Sequence, residues 1–162
     1  MKKWILILLS IFLLIIDNSL MPFFAIKGSY PSLLFIFSIA YSIITNRKEA
    51  VIIGILSGVL QDIFFSQVLG LNALINMLLC FLSAIIGENI YKEKRLIPTI
   101  LVTVMYILKI FIIGIIFRLI NKTLNIQIGL YTSIYSAVIM FIVYKFILLI
   151  CNKDNKQKSW RR

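Results

Sequence analysis

Residues 31–65 read PSLLFIFSIAYSIITNRKEAVIIGILSGVLQDIFF, and the fold turns on this stretch. An uncharged apolar run from Pro31 to Thr45 meets the polar group Asn46-Arg47-Lys48-Glu49. A second apolar run, Ala50 to Phe65, follows and carries one acid, Asp62. A helical hairpin in water would show a polar face at helical period. These two runs are apolar around most of their circumference, so lipid is their solvent. Their Val and Ile content does not argue for strands. Open strands in lipid leave backbone groups unpaired, and a membrane barrel alternates polar with apolar residues.

The same punctuation continues in both directions. A transmembrane helix takes about 20 mostly apolar residues, and the chain divides into six such spans at 4–24, 31–45, 50–65, 71–90, 96–120 and 128–150. Residues 1–151 form one six-helix transmembrane domain, and 152–162 form a basic cytoplasmic tail. Pro31 suits the first turn of the second span. Lys2-Lys3 before an apolar run resembles a signal peptide, but the run ends in Asp17-Asn18-Ser19 with no small-residue cleavage pattern. The first helix is therefore expected to be retained.

Composition agrees. Of 162 residues, 61% are hydrophobic and 14% charged, and the mean hydropathy is +1.02. A soluble domain carries about a quarter charged residues. With no histidine, Ser-His-Asp and Cys-His chemistry and His-ligated metals are excluded. No metal site and no cofactor is expected. Cys80 and Cys151 lie in separate apolar segments with neither redox nor zinc spacing. The formal charge of +11 does not indicate nucleic acid, because the basic residues punctuate apolar runs instead of lining one face.

Their distribution sets a topology. With the N-terminus in the cytoplasm, twelve of the 17 basic residues fall on cytoplasmic segments, and Lys27, Arg118 and Lys122 fall outside. That asymmetry predicts a multi-pass protein of the cytoplasmic membrane with both termini inside. In the tail, Lys153, Lys156, Lys158, Arg161 and Arg162 are expected to adhere to the anionic leaflet of the bilayer.

Ionisable residues inside spans cost about 2.5–3.5 kcal/mol each on insertion scales, which makes them candidates for function. Asp17 and Asp62 lie at roughly 20 Å and 18 Å into their helices at 1.5 Å per residue, and Lys109 at roughly 20 Å from the same side. Similar depth predicts that Lys109 pairs with a carboxylate, and that Asp62 faces the bundle interior within reach of Lys109 or of the Asn72 amide. Asn72 and Asn76 share a face of the fourth span. Asp17, Asp62, Asn72, Asn76 and Lys109 thus form an expected intramembrane polar cluster. Gly54, Gly58 and Asp62 recur at i, i+4, i+8 on the third. Gly-x-x-x-Gly admits a closely packed helix, so Gly54, Gly58, Asp62 and Gly70 are helix-interface candidates.

The block Pro31-Ser32-Leu33-Leu34, the loop Arg47-Lys48-Glu49, the pattern Gly54-x-x-x-Gly58-x-x-Gln61-Asp62-x-Phe64 and the run Leu69-Gly70-Leu71-Asn72-Ala73-Leu74 resemble the rod shape-determining protein MreD family. The likeness covers the length, the six-span layout and most of residues 1–90. Members often carry an acid after the first proline, where this chain has Ser32. The resemblance implies an all-α, polytopic six-helix bundle similar in fold to the substrate-binding subunits of energy-coupling-factor transporters. It implies a non-enzymatic scaffold of the bacterial elongation complex. Its direct partner would be MreC, and MreB, the glycosyltransferase RodA and the elongation transpeptidase would belong to the same complex.

Two other classes compete. A vitamin-binding transporter subunit fits six short-looped helices and an outer polar cluster, but the first helix lacks the small-residue face such subunits use for docking. An intramembrane aspartyl protease would use Asp17 and Asp62 to activate water, but that family has four spans and different sequence around each acid.

Overall fold

The computed structural model describes residues 3–25, 29–65, 69–90, 96–119, 129, 131–144 and 147. Among them the chain is helical, with no strand. Helix α1 is Lys3–Ser19, α2 Leu33–Ile44, α3 Arg47–Phe65, α4 Leu71–Glu88 and α5 Leu96–Leu119. A further apolar helix, α6, covers Tyr131–Tyr144. A single 3-10 turn, Met21–Phe24, follows α1.

Helix ends depart from the apolar runs for local reasons. α1 stops at Ser19, short of Phe24, because Pro22 at the start of the 3-10 turn has no N–H with which to continue an α-helix. α2 begins at Leu33, not at Pro31, because Ser32 is its cap: the Ser32 hydroxyl accepts the Phe35 N–H at 3.2 Å. The group Arg47-Lys48-Glu49, expected as loop, is the first turn of α3. The Ala50 N–H bonds to the Asn46 carbonyl at 3.0 Å, and Glu49 sits where the helix dipole favours an acid.

Helix α2 lies at the centre. Its residues Leu34 to Ile43 are all buried, and it packs against α1, α3, α4 and α5. At 12 residues it is about 18 Å long. The closest pairing is α3 with α4. A Cβ on Gly58 would overlap Ala73 backbone, and one on Gly54 would lie 2.7 Å from the Met77 Cα. Gly87, not singled out from the sequence, does the same for α4 against α2: a Cβ there would strike the Ile43 carbonyl oxygen.

Around a largely apolar core the bundle also buries polar side chains and exposes large apolar ones. Ser10, Ser38, Ser42, Gln61, Asp62, Asn76, Ser83 and Lys109 are buried, while Ile52, Ile55, Val59 and Ile63 on α3 and Ile100, Val104, Ile107 and Phe111 on α5 are exposed. On α5 the contrast is sharp: Lys109 is 8% exposed and Phe111, two residues on, 66%. The buried hydroxyls of Ser10, Ser38, Ser42 and Ser83 each donate to the carbonyl four residues earlier, at 2.7–2.8 Å. This satisfies them within their own helix. Contiguous exposed apolar stripes of this kind suit contact with lipid or with another protein surface. Among the described residues two helices, Leu71–Glu88 and Leu96–Leu119, are long and apolar enough by length and composition to cross a membrane. α1, α2 and α6 are shorter, and α3 carries Arg47, Lys48, Glu49 and Asp62 within its 19 residues.

Candidate functional site

Four helices meet where α1 and α3 end and α2 and α4 begin, and α5 runs alongside. Asp17 occupies the last turn of α1, a position its own helix dipole disfavours. The carboxylate is instead spent on the next helix. Its Oδ1 accepts the Leu33 N–H at 2.7 Å, and its Oδ2 accepts the Leu34 N–H at 3.1 Å and the Ser32 hydroxyl at 2.8 Å. Those are the first free N–H groups of α2.

Asp62 repeats the device between α3 and α4. Gly70, at φ 88°, holds the left-handed turn that starts α4 and has no side chain to cap it. Asp62 supplies the missing acceptor: Oδ1 takes the Asn72 N–H at 3.0 Å and the Asn72 amide at 3.1 Å, and Oδ2 takes the Ala73 N–H at 2.9 Å. Gly70 is therefore corrected from helix interface to turn. No atom lies within 4 Å of where its Cβ would be, so its requirement is conformational. Gly54 and Gly58 do lie at a helix interface, against α4.

Of the two partners expected for Asp62, the Asn72 amide is the one it meets, and the expected pairing of Lys109 with a carboxylate is corrected. No hydrogen bond or ion pair joins Lys109 to either aspartate. Its Nζ donates to Gln61 Oε1 at 2.8 Å and to Asn76 Oδ1 at 2.9 Å, and it lies 4.3 Å from the centroid of the Phe35 ring. Two helix N-termini compete for the carboxylates, each offering converging N–H donors.

The result is one connected network. Ser32 joins Asp17 to Gln61, whose amide donates to the Ser32 hydroxyl oxygen at 2.8 Å. The Asn76 amide nitrogen donates to Gln61 Oε1 at 2.9 Å and, over a longer distance, to the Ser57 hydroxyl. Lys109 closes the chain. Each of α1, α3, α4 and α5 contributes a side chain, and α2 contributes its cap. Of the expected cluster, Asp17, Asn76 and Lys109 belong to this network, while Asp62 and Asn72 form a separate cap beside it. Gln61, Ser32 and Tyr106 were not singled out as site residues. The signal for Gln61 was its spacing: three residues after Gly58, four after Ser57 and beside Asp62. Tyr106 carries no such mark, and only the fold brings its hydroxyl to the Ser32 N–H at 3.0 Å.

Above the network lies a cavity of about 160 Å³ lined by Asp17, Tyr30, Ser32, Gln61, Asn72, Tyr106 and Lys109. An apolar groove of about 240 Å³ lies elsewhere, between α1, α2 and α6, with Phe12, Phe37 and Val143 in its wall. At the opposite end of the bundle Arg47 and Glu88 form an exposed pair, with Arg47 Nε donating to Glu88 Oε1 at 2.9 Å. That bond raises the Arg47 pKa above its ordinary value. The basic tail residues Lys153, Lys156, Lys158, Arg161 and Arg162 lie outside the described residues.

Compared with known proteins, residues 1–154 match the family model described as rod shape-determining protein MreD. No curated protein and no solved structure matches the chain.

Proposed function

The chain belongs to the rod shape-determining protein MreD family, and from that premise we propose that it is a non-enzymatic, multi-pass scaffold of the bacterial elongation complex. Membership gives a membrane-associated protein of cell shape. The finer reading is that it binds MreC directly and so links cytoplasmic MreB to the RodA glycosyltransferase and its transpeptidase. All six helices are taken to span the cytoplasmic membrane, as a bundle like the substrate-binding subunits of energy-coupling-factor transporters, with both termini inside. The observation that carries the reading is the family match over nearly the whole chain. The disposition of the acids supports it. Asp17 and Asp62 each cap a different helix with both oxygens engaged, an arrangement suited to holding a shape and not to sharing a proton.

The test is purification of the tagged chain from native membranes with identification of what accompanies it. The scaffold reading expects MreC and the cell-wall synthases. The polar cavity over Lys109 favours a second reading, a vitamin-binding transporter subunit, for which the same experiment would return an ATPase module instead. A preparation with neither would contradict both.

A further inference from the structure

The cavity at the start of α2 and α4 has an imbalance of donors over acceptors. Its acidic wall is spent: both oxygens of Asp17 are engaged by three donors. Gln61 Oε1 accepts from both Asn76 and Lys109. Two donors are not spent in the same way. The Tyr106 hydroxyl oxygen accepts the Ser32 N–H at 3.0 Å, but among the described residues no acceptor takes its own proton. Lys109 is surrounded by two neutral amide oxygens and an aromatic face, and among the described residues no carboxylate is in ion-pair distance, Asp62 and Asp17 acting on it only from further off. Tyr106 and Lys109 are 7% and 8% exposed, both line the cavity, and they stand one turn apart on α5. A buried cation without an anionic partner and a buried hydroxyl proton without an acceptor ask for the same thing.

We propose that this cavity binds a small monocarboxylate, with Lys109 Nζ and the Tyr106 hydroxyl as its donors. One carboxylate carries two acceptor oxygens, one for each donor. The cavity, at about 160 Å³, limits the ligand to a small acid. Asp17 in the wall opposes any anion, so the site favours a single charge set against Lys109 and disfavours a dianion such as phosphate more strongly. Tyr30 lines the cavity without contributing a described bond to the Asp17–Lys109 network, so it is the residue through which the cavity can be filled. The assignment does not rest on the scaffold reading.

The experiment uses the full chain in lipid nanodiscs, with its thermal unfolding midpoint followed against acetate, chloride and inorganic phosphate at constant ionic strength. A ligand that binds only the folded state raises the midpoint in a saturable way. Acetate is expected to do so and chloride not. Tyr106→Phe should raise the half-saturating acetate concentration about tenfold, the effect of losing one hydrogen bond to a charged group. Tyr30→Trp, which fills the cavity and leaves Lys109 and its partners in place, should abolish the acetate response without lowering the midpoint in chloride. Equal responses to acetate and chloride would overturn the site, as would an acetate response unchanged in both variants, an adventitious ion only. A stronger response to phosphate than to acetate would overturn the carboxylate assignment.

Discussion

Asp62 and Lys109 do not meet, because each has other partners. Asp62 takes three donors at the start of α4. Lys109 takes two amide oxygens and the Phe35 ring. Removing either is costly, since a buried group left without its partner loses about 1–3 kcal/mol, more when charged. The wiring predicts how the costs combine. Asp62→Ala and Lys109→Met share no hydrogen-bond partner, so their effects on the unfolding midpoint of the purified protein should nearly add, short only of the through-space attraction between the two charges. Gln61→Leu and Lys109→Met both break the bond at Gln61 Oε1, so together they should cost less than the sum. An Asp62/Lys109 pair milder than Asp62→Ala alone would restore the direct ion pair. At this scale the sequence showed which residues are buried against their chemistry but not who satisfies them. Partner choice depended on backbone N–H groups, which every residue but proline has and no composition reveals.

At the scale of elements, the glycines separate into two kinds. Gly58 exists because α4 backbone occupies the space of a side chain, whereas Gly70 exists because its φ is 88° with open space around it. Gly58→Leu should therefore push α3 from α4, at a cost of at least the 1–3 kcal/mol typical of overpacking. Gly70→Ala should cost about 1–2 kcal/mol of backbone strain and leave packing intact. Membrane abundance and unfolding midpoint of the two variants check the order, and a Gly70 variant more damaged than the Gly58 one would contradict it. The Gly54/Gly58 face was legible because two small residues at helical spacing beside an acid are rare on a surface that faces lipid. Gly87 had no such companion glycine. Its signal was the weaker stripe Asn76, Cys80, Ala84 and Gly87, all buried, along one side of α4. Helix ends were the least legible feature, since hydropathy does not register a Ser32 cap or a charged first turn.

For the whole molecule, the basic residues imply an inside and an outside. Single cysteines replacing Gly28 and Leu124, in a chain lacking Cys80 and Cys151, should react with an impermeant thiol reagent applied from outside. Those replacing Lys48 and Lys94 should not, and the opposite pattern would invert the bundle. The central claim concerns what this bundle does, and the most direct measurement is the shape of living cells. The chain would be depleted in its native bacterium and replaced by wild type or by Gly58→Leu expressed at equal membrane abundance. The scaffold account predicts that depleted cells become round or die, that wild type restores rods, and that Gly58→Leu does not. Rods that persist after depletion of the chain would contradict it.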